Sequence, residues 1–309
     1  MTHVAPSLPP LDINRGPTAP EGGEIGPVQS GFKLAMREFA QNRLALIGLG
    51  ILAFFVLFCF VGPLIYHGDT INTSLENTLL PPGAGHPLGT DNVGLDVLGQ
   101  LMRGGQASIE VGFFAAFIGI FIGTIFGAIA GLIGGLVDSG MMRIVDVFLS
   151  VPFLFVVLIV AVRYGASVLS LSLIIGGYTW LVPARLVRGE VLTLRTRDFV
   201  SAARAAGSSR GRLITRHLIP NALSVIIVNV TFNVADAILA VATLGFLGFG
   251  LHYPNIDWGD MLSNGIQYLQ AGNWWLIYPV GACIVLIVMA CNLIGDALRD
   301  SLDVRLRRR

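Results

Sequence analysis

The sequence predicts an all-α polytopic membrane protein with six transmembrane helices, and three observations carry that reading. Hydrophobic residues make up 54% of the 309 positions and charged residues 13%, at a mean hydropathy of +0.73, a balance foreign to soluble domains. Apolar runs of about 20 residues recur, each long enough to cross the hydrocarbon core. One substantial polar and basic passage, Asp198 to Asn221, separates the runs in the second half of the chain.

Residues 1–30 hold six prolines and few large apolar side chains, which predicts a flexible tail without a cleavable secretory leader. In 31–43, GFKLAMREFAQNR, Phe32, Ala35, Met36 and Phe39 fall at helical spacing opposite Lys33, Arg37 and Arg43. That pattern suits an amphipathic interfacial helix or a plain extension of the first span. The first span covers 44–66 and a Gly/Pro-containing polar loop covers 67–104. The second span runs from about Ser108 to Val137. Along it Ala115, Gly119, Gly123, Gly127, Gly131 and Gly135 recur every fourth residue. Small residues at that spacing let helices approach closely in lipid, and the stripe drifts around the helix, so it can serve more than one neighbour.

A turn carrying Asp138 and Arg143 precedes the third span, about Ile144–Val162, with Asp146 at its entrance and Pro152 expected to bend it. The fourth span covers about Val168–Pro183, the fifth Leu223–Leu247 and the sixth Trp275–Gly295. Arginines at 185, 188, 195, 197, 204, 210, 212 and 216, and again at 305 and 307–309, face a loop at 248–274 that has no Lys or Arg. The positive-inside rule then puts both termini and 198–221 in the cytoplasm, and the 67–104 and 248–274 loops outside. Tyr253, Trp258, Trp274 and Trp275 are expected in the outer aromatic belt.

In 198–221 the alanines at 202, 203, 205 and 206 suit a short helix, and Gly207 can end it in the left-handed conformation. Ser208 or Ser209 can cap a second short helix, with Pro220 expected to close it. The arginines alone indicate only a cytoplasmic loop and are poor evidence for nucleic acid. Lys33 is the one lysine, and no GxxxxGK[ST] run exists, so the chain is not expected to hydrolyse ATP. Cys59, Cys283 and Cys291 lie in apolar runs and read as buried small side chains. His86, Asp91 and Asp96 hold too few nitrogen or sulfur ligands for a metal site, and the acids suit helix caps and turns. Asp236 is a carboxylate deep inside a span. With Asn229 and Asn233 near its face, it reads as either a pore-lining or inter-subunit polar patch or a locally bonded structural group. Asp296, Arg299, Asp300 and Asp303 mark the exit of the last span, where i, i+4 Arg–Asp support is small.

FVSAARAAG followed by RHLIPN resembles the cytoplasmic signature of binding-protein-dependent ABC transporter permeases: Glu-Ala-Ala, three residues, Gly, nine residues, then Ile-x-Leu-Pro. Ala202, Ala203, Gly207 and Pro220 match, while Ser201 replaces the Glu, His217 the Ile and Ile219 the Leu. HPLGTDNVGLDVL (86–98), GGLVDSGMMRIVDVFLSVP (134–152), LGFLGFG (244–250), WGDML (258–262) and NLIGDALRDSLDVRL (292–306) are similar to the second, C-type permease subunit of the dipeptide/oligopeptide/nickel group.

The resemblance implies a type I importer permease fold in 105–298, with coupling helices at 198–221 and a basic tail at 299–309. Asp198, Ser201, Ala202, Ala203, Gly207, His217, Pro220 and Asn221 would then meet an ATPase. Gly119, Gly123, Gly127 and Gly131 read as helix-packing positions. The implied partners are a homologous second permease subunit, two cytoplasmic ABC ATPase domains, an extracytoplasmic substrate-binding protein and membrane lipid. No cofactor is expected on this chain, ATP and Mg belonging to the ATPases. The function implied is import of peptides across a prokaryotic cytoplasmic membrane. The alternatives are an ion-coupled secondary transporter, or an importer of the same group for nickel or another small solute.

Overall fold

The computed structural model describes residues 31–251 and 254–307. The expectations for the 1–30 tail, Tyr253 and the last two arginines lie outside those residues, as do the side chains of Phe32, Lys33, Ala35, Asp303 and Arg305. Among the described residues the regular structure is helical, apart from two isolated β-bridges within 83–96.

Helix α1 (Gly31–Gln41) runs into α2 (Arg43–Ile65) at Asn42, whose side-chain oxygen accepts from the Leu44 and Ala45 amides at 3.0 and 3.4 Å. An N-cap therefore separates the surface helix from the first span without a loop. The second span begins earlier than its hydropathy suggests. Asp96 accepts from the Gly99 amide at 2.7 Å and caps α3 (Val97–Ile133), so the first turns of α3 belong to what reads as loop in the sequence. At 37 residues α3 is about 55 Å long, more than the hydrocarbon needs. It stops at Gly134 and Gly135, both at positive φ (+70° and +59°).

The third span is broken rather than gently bent. Helices α4 (Gly135–Ser150) and α5 (Phe153–Tyr164) meet at 81°. Val151 is extended (φ −91°, ψ 129°), the conformation its position before Pro152 favours. The fourth span is also a bent pair, α6 (Val168–Thr179) and α7 (Leu181–Leu194), meeting at 43°. After α8 (Asp198–Ala205) comes α9 (Arg210–Phe246), then the short α10 (Trp258–Gly265) and α11 (Tyr278–Arg307). Four helices are unbroken and apolar over a crossing length, and counting each bent pair as one span gives six.

Helix α3 is the centre of the bundle, and its glycines decide what can touch it. A Cβ at Gly119 would lie 2.5 Å from Thr179 Oγ1, at Gly123 2.7 Å from the Trp180 carbonyl oxygen, at Gly127 2.3 Å from the Ala184 carbonyl oxygen, and at Gly131 2.8 Å from Val191 Cγ1. All four glycines serve one neighbour, the α6–α7 pair. A stripe at i, i+4 is inclined to the helix axis, and α7 follows that incline instead of leaving it to a second partner. Gly112 meets Ile238 of α9, while Gly135 lies beyond the helix end with nothing within 4 Å.

The end of the bundle opposite 198–221 is tied by aromatic anchors. Trp258 is fully buried and donates Nε1–H to the Leu101 carbonyl at 3.0 Å, and Trp275 donates to the Thr90 carbonyl at 3.2 Å. Neither is a belt residue. Trp274 is exposed and stacks on Tyr278, also exposed, at 6.5 Å between centroids.

Gly127→Ala would drive a methyl group into backbone, whereas Gly177→Ala meets nothing within 4 Å. The first is expected to cost about 1–3 kcal/mol and to lower the thermal unfolding midpoint of the detergent-purified protein. Gly177→Ala should leave it unchanged or raised. Equal midpoints would contradict the close-contact account.

Candidate functional site

The polar passage folds as a short helix, a tight turn and the start of a long helix. On α8, Val200 is fully buried and Ala203 partly so. They join Leu213 and Leu218 of α9 in one apolar cluster with Ala128 and Leu132 of α3 and Val187 and Val191 of α7. The opposite face of the passage, with Asp198, Phe199, Ser201, Ala202, Arg204 and Gly207, is exposed. Its buried side is thus fixed to the ends of α3 and α7, and its other side is exposed.

The turn is a Schellman motif. The Ser208 amide donates to the Ala203 carbonyl at 3.1 Å and the Gly207 amide to the Arg204 carbonyl at 3.0 Å, with Gly207 at φ +79°. A Cβ at Gly207 would meet nothing within 4 Å, so glycine is required here by backbone conformation alone. Ser209 then caps α9, its Oγ accepting from the Arg212 amide.

Pro220 does not close a second short helix. The chain from Arg210 to Phe246 is one helix of 37 residues. Proline removes an amide donor and its ring crowds the carbonyl one turn back. Here Ile214–Leu218 form a π-helical turn in which the Ile219 amide donates to the Ile214 carbonyl, and the wider turn relieves that crowding. Asn221 donates its side-chain N–H to the His217 carbonyl at 2.6 Å, supplying a donor in the same turn. His217 and Ile219 are partly buried, and Pro220 and Asn221 exposed.

Ion pairs brace this end of the bundle, and the sequence reading missed them. Arg188 of α7 donates Nε and Nη2 to the two carboxylate oxygens of Asp138 on α4, at 2.5 and 2.6 Å. Arg185 pairs with Asp146, and Arg195 donates to the Gly131 carbonyl at 3.0 Å. Charges of both signs at the inner ends of neighbouring spans were the available signal. By contrast, Asp296, Arg299 and Asp300 are exposed on α11 and form no ion pair among the described residues.

Asn229, Asn233 and Asp236 share one face of α9. Asn229 donates Nδ2–H to the Val225 carbonyl at 2.7 Å and Asn233 to the Asn229 carbonyl at 3.0 Å. Asn233 is 8% exposed, whereas Asp236 is exposed and has no partner among the described residues. Ile238, two residues on and on the opposite side of α9, touches Gly112 of α3, so Asp236 faces away from that contact. Glu110 lies two residues from Gly112 on the far side of α3, a second carboxylate in a helix of crossing length, which the sequence reading did not single out.

In the outer loop, the Asp96 carboxylate accepts from Tyr66 Oη at 2.8 Å and faces His86 Nδ1 at 2.9 Å, besides capping α3. Burial first, then the bond to Asp96, pushes the Tyr66 phenol up to about 12. Asp91 accepts from the Val93 and Leu95 amides and from Gln100. These side chains are spent on loop and helix start. Asp257, fully buried, caps α10 and accepts from the Leu251 amide at 2.8 Å. Burial raises its pKa, against the lowering effect of those amides.

Residues 123–308 match the family described as binding-protein-dependent transport system inner membrane component. Residues 30–82 match the N-terminal TM domain of oligopeptide transport permease C. The chain is 35% identical over 305 residues to the dipeptide transport system permease protein DppC of Alkalihalophilus pseudofirmus, covering 99% of this chain and 98% of that one. It is 39% identical over 271 residues to the oligopeptide transport system permease protein OppC of Escherichia coli, covering 87% and 89%. In fold it is similar to a chain of the inward-facing MetNI methionine ABC transporter, with a TM-score of 0.52 and 23% identity over 65% of this chain and 96% of that one.

A branched side chain at Gly207 is expected to cost about 1 kcal/mol or more through its positive φ, and asparagine distinctly less. Hydrogen exchange checks this: amides 202–208 should lose protection in Gly207→Val and largely keep it in Gly207→Asn. Equal protection in both variants would show that the turn does not depend on backbone conformation.

Proposed function

The chain belongs to the binding-protein-dependent transport system inner membrane component family, and from that premise we propose that it is the C-type permease subunit of an ATP-driven importer of dipeptides or oligopeptides. The reading rests chiefly on near full-length similarity to dipeptide and oligopeptide permease subunits. The exposed, backbone-defined turn at Gly207 supports it. In this reading the chain is a multi-pass protein of the cytoplasmic membrane with both ends inside. It performs no bond chemistry, and ATP and Mg are held by two partner ATPase domains. A homologous second permease completes the path, and an extracytoplasmic binding protein supplies the solute.

The mechanism is mechanical. An ATPase cleft grips the exposed face of α8 and the turn. Ser201 stands where the family signature has Glu, so docking rests on the shape of Ala202 and Gly207 and on neighbouring charges such as Asp198 and Arg204. Movement of the ATPase shifts α8, which the apolar cluster at Val200, Leu213 and Leu218 joins to α9. Because α9 continues through Pro220, the displacement reaches Asp236 without passing a hinge. The Asp138–Arg188 and Asp146–Arg185 pairs hold the neighbouring helices while α9 moves.

Uptake by the reconstituted complex should be abolished by a non-hydrolysable nucleotide and survive collapse of the proton gradient; the reverse pattern would support ion coupling. Gly207→Val should insert normally yet lose uptake. Thr215 and Arg216 are exposed on α9 between turn and span. Replacing both with glycine softens the lever by about 1 kcal/mol per site. Transport per ATP hydrolysed should then fall roughly fivefold or more, the scale of a 1 kcal/mol coupling loss. An unchanged ratio would show that the stiffness of α9 is not used.

A further inference from the structure

We propose that the Asn229–Asn233–Asp236 face of α9 is an acceptor-rich, negatively charged track that selects solutes presenting an ammonium group and amide N–H donors. This rests on the reading of the chain as one wall of a translocation path. The argument starts from where the donors go. An amide side chain carries two N–H hydrogens on its nitrogen and lone pairs on its oxygen. In both asparagines the nitrogen faces a carbonyl of the preceding turn, at 2.7 and 3.0 Å. A carbonyl can only accept, so that assignment is dictated by chemistry. Each Oδ1 and one N–H of each Nδ2 are left over, and among the described residues they have no partner. Asn233 is 8% exposed as a residue, and its Oδ1 is not one of the buried side-chain atoms that lack a partner, so that oxygen reaches the open side of the helix. Asp236, when ionised, adds two more acceptors and a negative charge.

The three residues span seven positions, about 10.5 Å of helix rise on one face. An extended peptide advances about 3.3 Å per residue. The track therefore matches an ammonium at Asp236 and the N–H groups of roughly three following residues. Depth argues against a lipid-facing role. Asp236 lies about 15 Å inside the outer end of α9 at Phe246. A carboxylate and unpaired acceptors there would cost several kcal/mol in hydrocarbon. The Asp236 charge repels anions and attracts cations, and a cationic solute also finds the two Oδ1 acceptors.

The test needs no knowledge of the cargo. Leu239, exposed and one turn from Asp236, is replaced in the assembled complex with ATPases as Leu239→Cys. Its modification is timed with a trimethylammonium methanethiosulfonate and with a sulfonate one, and the unsubstituted complex corrects for the native cysteines. The cationic reagent is expected to react at least tenfold faster than the anionic one, beyond their ratio on a free thiol. Adding Asp236→Asn should reduce that preference by about tenfold. A preference that Asp236→Asn leaves unchanged, or none at all, overturns the acceptor track while leaving the path itself intact. No reaction with either reagent shows the face to be closed to water and overturns both.

Discussion

Pro220 has no amide hydrogen to give, and its ring presses on the turn before it, yet the helix that holds it runs unbroken from Arg210 to Phe246. The strain is absorbed locally, in one π-helical turn at Ile214–Leu218, with the side-chain amide of Asn221 donating in place of a backbone N–H. Had the proline broken the helix, the segment next to the Gly207 turn and the polar face at Asp236 would sit on separate bodies. Instead one continuous helix joins the end beside the exposed turn to Asp236. The rest of the fold can be understood as what holds that element and lets it move.

The holding is of two kinds. In lipid, helices gain nothing from expelling water, so α3 and α7 associate through close approach at Gly119, Gly123, Gly127 and Gly131. At the inner end, where water returns, Arg188 grips Asp138 bidentately and Arg185 meets Asp146. Around α9 the contacts are mixed: apolar side chains at Val200, Leu213 and Leu218, Ile238 against Gly112, and backbone approach where Gly259 of α10 meets Ala242 and Phe246.

Much of this was legible in the sequence, because the features concerned are local. Apolar runs give spans, Gly207 gives a turn, and the four-residue glycine period gives a close contact. What escaped depends on partners distant in sequence. Periodicity cannot show that α3 begins at Val97, since a polar helix turn capped by Asp96 has the composition of a loop. Trp258 and Trp275 look like belt residues until Leu101 and Thr90 are seen to accept their indole hydrogens. Pro220 was read as a stop because proline usually is one; the π-turn that rescues the helix has no signature in residue type. The Asp138–Arg188 pair joins residues fifty positions apart, which no local window connects.

The central claim, that α9 moves as one piece, can be measured directly. Spin labels at Gly211 and Leu239, both exposed on α9, lie about 42 Å apart along an unbroken helix. Pulsed electron-electron resonance on the assembled complex should give the same Gly211–Leu239 distance with and without bound ATP. The distance from Leu239 to a label at Ile125 of α3 should change. A Gly211–Leu239 distance that shortens on ATP binding would place a hinge at Pro220 and contradict the account.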